Sequence, residues 1–126
     1  MKIAGLLLVV VVFLAGCGAG HRKLTSITVS PAAAAAVASS RGTAQYTATG
    51  IEDNGSTVTL TQADDLSWKT SKPAIATIDD SGTATCVGTG VVTITATAPV
   101  DLTIQVSTNV QNTSPDVSGT ASLNCM

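Results

Sequence analysis

The sequence predicts an all-β fold, a two-sheet β-sandwich preceded by a signal peptide helix and a short flexible tether. Three observations predict it. One long apolar run is confined to the N-terminus, the rest of the 126-residue chain is rich in Thr, Ala, Ser, Val and Gly, and short apolar–polar alternations there are punctuated by turn residues. Alternation at period two, interrupted about every ten residues, is the pattern of strands in a sandwich or barrel.

The chain opens with Met1-Lys2, continues through an apolar stretch from Ile3 to Leu14, and turns small at Ala15-Gly16-Cys17-Gly18-Ala19-Gly20. A charged head, an apolar centre and a small-residue exit are the layout of a secretory signal. The apolar stretch of about 12 residues is shorter than the roughly 20 that a spanning helix needs. Leu14-Ala15-Gly16-Cys17 resembles the lipobox of bacterial lipoproteins, in which the cysteine thiol becomes a diacylglyceryl thioether; the alternative is an ordinary signal with a chance cysteine near its cut. The lipobox reading divides the chain into a signal peptide at 1–16, a lipidated cysteine and tether at 17–23, and a folded domain at 24–126. It makes membrane lipid a partner through Cys17, with acyl chains that exceed the two signals required for stable anchoring. Gly18 after the cysteine, where resemblance to Gram-negative lipoproteins links aspartate to inner-membrane retention, favours the outer membrane.

About 110 residues beyond the signal are enough for one domain and too few for two good cores. Without Lys2, five cations (Arg22, Lys23, Arg41, Lys69 and Lys72) stand against eight acids, a net charge of −3. No basic patch of the kind a nucleic-acid binder uses is present, so nucleic acid is not an expected partner. Assigning Cys17 to lipid leaves Cys86 and Cys125 as an even pair in an oxidising compartment, which makes them candidates for a disulfide. The alternative is two buried free thiols.

The strand candidates follow in order: Ser26 to Ser30, Thr43 to Thr49, Thr57 to Thr61, Leu66 to Thr70, Ala74 to Ile78, Thr83 to Val87, Val91 to Ala98, Leu102 to Val106 and Val117 to Cys125. Ala44, Tyr46 and Ala48 alternate with threonines and Gln45, and Val92, Ile94 and Ala96 alternate with Val91, Thr93 and Thr95, each giving one apolar face. Asn54-Gly55, Asp80-Ser81-Gly82, Gly88-Thr89-Gly90 and Ser118-Gly119 are the expected turns. Ala32 to Ala38 has good helix formers but lacks helical punctuation between Ser30-Pro31 and Ser39-Ser40-Arg41-Gly42, and reads as an extended or irregular connection.

Six blocks then carry a family likeness: Ile27-Thr28-Val29-Ser30-Pro31, Gln45-Tyr46-Thr47-Ala48-Thr49-Gly50, Ser67-Trp68-Lys69-Thr70-Ser71, Pro73-Ala74-Ile75-Ala76-Thr77-Ile78, Ser81-Gly82-Thr83-Ala84-Thr85 and Gly90-Val91-Val92-Thr93-Ile94-Thr95-Ala96. In order and spacing they resemble a bacterial Ig-like domain of the second group, from about Leu24 to Ala98. The resemblance implies an immunoglobulin-like sandwich with Trp68 as its aromatic core residue and Tyr46, Ile75, Ile78, Val92 and Ile94 packed around it. The alternative places Trp68 on a carbohydrate-binding surface. After Ala98 the chain departs from the family pattern, because Pro99 to Asp116 lengthens the route to the final strand, and this polar segment reads as a long hairpin from Leu102 outward. It is either a private binding surface or a structureless elaboration.

The sole histidine, His21, lies on the tether, which leaves the domain without the positioned base of a Ser-His-Asp site. Glu52-Asp53, Asp64-Asp65 and Asp79-Asp80 read as solvated turns rather than calcium ligands. No catalytic residue, metal site or cofactor is expected, and the chain does not read as an enzyme. The resemblance to adhesin and surface-protein Ig-like domains implies a membrane-anchored module binding a protein or glycan at the cell envelope. The alternative is a structural envelope component with no dedicated ligand.

Overall fold

The computed structural model of the chain describes residues 23–102 and 113–126. The strands are β1 (Leu24–Ser30), β2 (Ala33–Ala36), β3 (Thr43–Gln45), β4 (Thr47–Glu52), β5 (Thr57–Thr59), β6 (Ser67–Thr70), β7 (Ala76–Ile78), β8 (Thr83–Cys86), β9 (Gly90–Pro99) and β10 (Asp116–Cys125), with single 3-10 turns η1 (Ala38–Ser40) and η2 (Gln62–Asp64). Among the described residues no helix is long and apolar enough to cross a membrane. The fold is all-β and compatible with an Ig-like β-sandwich.

Three hydrogen-bonded ladders make two layers. One ladder runs β1-β4-β5 and another β3-β8-β7; only Tyr46 separates β3 from β4, so the two ladders continue one another along that shared line. The other layer runs β2-β10-β9-β6. Its centre is the β9/β10 ladder, antiparallel without interruption from Asp116 opposite Pro99 to Cys125 opposite Gly90. Alternation explains it: Val92, Ile94, Ala96 and Ala98 of β9 point inward and are buried, as are Ala121, Leu123 and Cys125 of β10. The facing layer contributes Ile27, Val29, Tyr46, Ala48, Ala76, Ala84 and Cys86. β1 packs across β10 and β9.

Ala32 to Ala38 is more regular than its composition implies. Ala33–Ala36 pairs in parallel with Ser122–Cys125, and η1 follows. The chain therefore changes layers at Ser30-Pro31, hydrogen bonding first to β4 and then to β10. Ser118-Gly119 is also not a turn. Gly119 is buried within β10 opposite Ala96, and a Cβ there would run into the Ile27 carbonyl. This is a strand glycine set by close approach of a second backbone.

The sandwich has two distinct ends. At one, Leu24 N–H donates to the Val100 carbonyl (2.8 Å) and Lys23 bridges Asp101. At the other, Ala36 pairs with Cys125, and Met126 N–H donates to the Ala36 carbonyl (2.9 Å). The segment Leu102 to Val106, read as a strand, lies almost wholly outside the described residues, as does the outer part of the Pro99 to Asp116 hairpin; its base is set by Val100 N–H donating to the Pro115 carbonyl (2.8 Å).

Candidate binding groove beside Trp68

Cys17 and the signal segment lie outside the described residues, as does His21. Cys86 and Cys125 form a disulfide with Cα atoms 5.7 Å apart. It joins β8 in one layer to β10 in the other, and both cysteines are buried. Alanine is the commonest residue of the buried core, which includes Ala48, Ala76, Ala84, Ala96, Ala98 and Ala121. Small side chains bury little apolar area each, so a covalent link between layers adds a constraint that such a core lacks.

The six residues expected to form one aromatic-centred core separate into two sets. Tyr46, Val92 and Ile94 are almost fully buried. Trp68, Ile75 and Ile78 are half-buried and pack against the core from outside. Topology explains the difference. β6 is the outer strand of its layer and β7 of the other, so Trp68 lies where the two layers come to an edge.

Trp68 borders two depressions. The larger, about 430 Å³, is lined by Thr47, Thr59, Gln62, Trp68, Asp80 and Ser81 among others. The smaller, about 250 Å³, is lined by Trp68, Lys69, Thr70, Pro73, Thr77 and Ile78. The local turns that shape the larger groove are fixed by side chains. At η2, Thr61 N–H donates to Asp64 Oδ2 (3.0 Å), in a capping box that the spacing Thr61-x-x-Asp64 makes readable in the sequence. In the β7–β8 turn, Asp79 Oδ1 accepts from Ser81 Oγ (2.6 Å), Ser81 N–H (3.0 Å) and Thr83 N–H (3.0 Å). These bonds, the Ser81 hydroxyl foremost, hold the Asp79 carboxyl below its usual pKa.

Gln45 clamps that turn to β3. Its Nε2 donates to the carbonyls of Ser81 (2.8 Å) and Tyr46 (3.1 Å), and its Oε1 accepts from Thr83 Oγ1 (2.7 Å). Gly82, at φ +82°, then lies against Trp68: a Cβ there would fall 3.1 and 3.2 Å from Cζ2 and Cε2 of the indole and still closer to the Tyr46 carbonyl. The turn thus needs glycine for both its backbone angle and the ring's place.

Thr47, Thr59, Gln62 and Asp80 were not singled out by sequence reasoning for this role, because they come from four separate segments with no motif in common. The acidic pairs are spent differently: Asp64 and Asp79 close turns, and Glu52 is buried at the end of β4. Among the described residues no three His, Cys, Asp or Glu side chains gather into a metal-binding group.

A family model described as "Intimin, immunoglobulin-like domain" matches residues 62–99. The match begins in η2 and spans β6 to β9, the segment that carries Trp68, the Asp79–Gly82 turn and Cys86. The chain is similar to that domain over this segment, which is consistent with a bacterial Ig-like domain. No curated protein matches the chain.

Proposed function

We propose that this chain is a lipid-anchored envelope protein whose Ig-like sandwich binds a protein or glycan partner in an adhesion-type role. In this reading residues 1–16 are removed, Cys17 carries the lipid, 17–23 is the tether and 24–126 is the domain of the second group of bacterial Ig-like domains. The observation that carries the binding role is the likeness to an intimin Ig-like domain across β6 to β9. The lipobox Leu14-Ala15-Gly16-Cys17 supports the anchor, and Gly18 supports the outer membrane. The first described residues, Lys23 and Leu24, sit at the end of the sandwich opposite the disulfide, so a tether there leaves both long edges of the sandwich accessible.

The test is crosslinking and affinity capture of the full lipidated chain in its native envelope, with Cys17→Ser as control. A reproducible partner or glycan identified by mass spectrometry supports a binding module. Recovery of lipid alone overturns it in favour of a structural envelope component.

A further inference from the structure

We propose that the groove beside Trp68 is a binding site for neutral oligosaccharides, with the indole as its apolar platform. This rests on the binding-module reading above and names its ligand class and its site. At about 430 Å³ the groove falls within the range of roughly 300–1,000 Å³ usual for small-ligand sites. Its polar lining divides in two. Gln45, Thr61 and Ser81 are committed to the turns. The side chains of Thr47, Thr59, Gln62 and Asp80 make no hydrogen bond among the described residues, although all four line the groove. Hydroxyl and amide groups both donate and accept, and a carboxylate accepts, which is the complement of a ring bearing several hydroxyls.

The indole supplies what those groups lack. Its π face carries partial negative charge, and the C–H patches of a pyranose ring carry the opposite polarity. Trp68 is already positioned for this, because Gly82 admits the ring atoms Cε2 and Cζ2 and the turn behind Gly82 is fixed by Asp79 and Gln45. A pre-placed ring loses little conformational entropy on binding.

Charge selects the neutral class. Among the described residues, Asp80 is the single charged side chain lining the larger groove and Lys69 that of the smaller. The described lining of the larger groove offers no cation to a sulfate or sialate, and its carboxylate repels one. A peptide added as a strand would read alternating side-chain pockets along a sheet edge, whereas this lining sets hydroxyl and amide groups from several segments, beside Leu60, Leu66 and two alanines, around one indole. Because Trp68 borders both depressions, a saccharide of two or more units can lie across it.

Trp68 is the chain's only tryptophan, so its fluorescence reports this site alone. The full lipidated chain in lipid nanodiscs, free of sugar-based detergent, is titrated with neutral di- to pentasaccharides of glucose, galactose and N-acetylglucosamine. Sulfated and sialylated oligosaccharides serve as controls. The expected result is a saturable change in Trp68 emission with one neutral series and none with the anionic controls. Gln62→Ala and Asp80→Ala, both at exposed positions, should each weaken that binding about fivefold, the worth of one hydrogen bond, without changing the melting temperature. Absence of a saturable change with every neutral series overturns the proposal, as does binding indifferent to both substitutions. If envelope capture still returns a partner in that case, the binding-module reading stands and only this site falls. A captured protein that shields Trp68 from a soluble quencher replaces the saccharide with a protein ligand.

Discussion

The phenol of Tyr46 donates a hydrogen bond to the carbonyl of Ser122 at 2.7 Å, across 76 positions of sequence and from one layer of the sandwich to the other. Tyr46 is 1% exposed and Ser122 half-buried, so the bond forms where water competes less than at the surface. Replacing it by Phe keeps the ring and removes the bond, leaving the Ser122 carbonyl with one partner fewer. Tyr46→Phe should cost about 1–2 kcal/mol, measured as a lower denaturation midpoint at unchanged slope.

The same residue sets an alkaline limit. Burial pushes the Tyr46 phenol above its ordinary pKa, near 10 in the unfolded chain. The folded state therefore favours the protonated phenol. Its stabilising effect is complete below about pH 10 and is lost as pH rises through the higher folded value. As the chain's only tyrosine, Tyr46 can be followed by phenolate absorbance during unfolding. In Tyr46→Phe this contribution to the alkaline loss of stability should disappear.

Gly119→Ala should destabilise the domain by about 1–3 kcal/mol, the range for overpacked sites. The new methyl meets the Ile27 backbone rather than the movable end of a side chain, so β1 and β10 must separate to admit it. Urea denaturation provides the measurement, and an unchanged midpoint would contradict the close approach.

The Cys86–Cys125 bond closes a loop at a sequence separation of 39, for which the chain-entropy relation gives about 4 kcal/mol. The double substitution Cys86→Ser, Cys125→Ser should lower stability by an amount of that order. In the unreduced protein unfolded in denaturant, a thiol reagent should find neither Cys86 nor Cys125 until reductant is added.

Protonating Asp79 should loosen the β7–β8 turn. Its pKa is lowered in the folded state by the Ser81 hydroxyl and the Thr83 and Ser81 amides. The contribution is therefore present above the unfolded carboxylate value, about 4, and is lost as pH falls through the lower folded one. Faster amide exchange at Ser81 and Thr83, relative to the core, should accompany that fall, and Asp79→Ala should show it at every pH.

Where sequence and structure agree, local pattern and burial coincide. The inward set Val92, Ile94 and Ala96 is legible because β9 lies between two neighbours and is buried along one whole face. The cysteine pair is legible only once Cys17 is set aside at the exit of the signal, which leaves Cys86 and Cys125 as the even pair. The place of Trp68 is not, because the alternation Leu66-Trp68-Thr70 gives the side it faces and not that β6 ends its layer. Alanine has weak strand preference, so Ala33–Ala36 becomes a strand through a partner almost 90 positions later. Gly119 carries the composition of a turn, and only the distant Ile27 carbonyl gives it another meaning. The groove is the least legible feature, since its free polar groups meet only through tertiary contact.

The placement of the disulfide gives the domain a mechanical character. A pull on residue 23 against residue 126 enters at opposite ends of the sandwich, and the covalent link between Cys86 and Cys125 diverts tension around everything between them. At roughly 3.4 Å per extended residue, the 39-residue separation corresponds to about 130 Å of chain that cannot lengthen while the bond is intact. Even with both sheets torn apart, β9, β10 and the hairpin between them would remain a closed, slack ring, and the extension of the domain would stop near three-fifths of its contour.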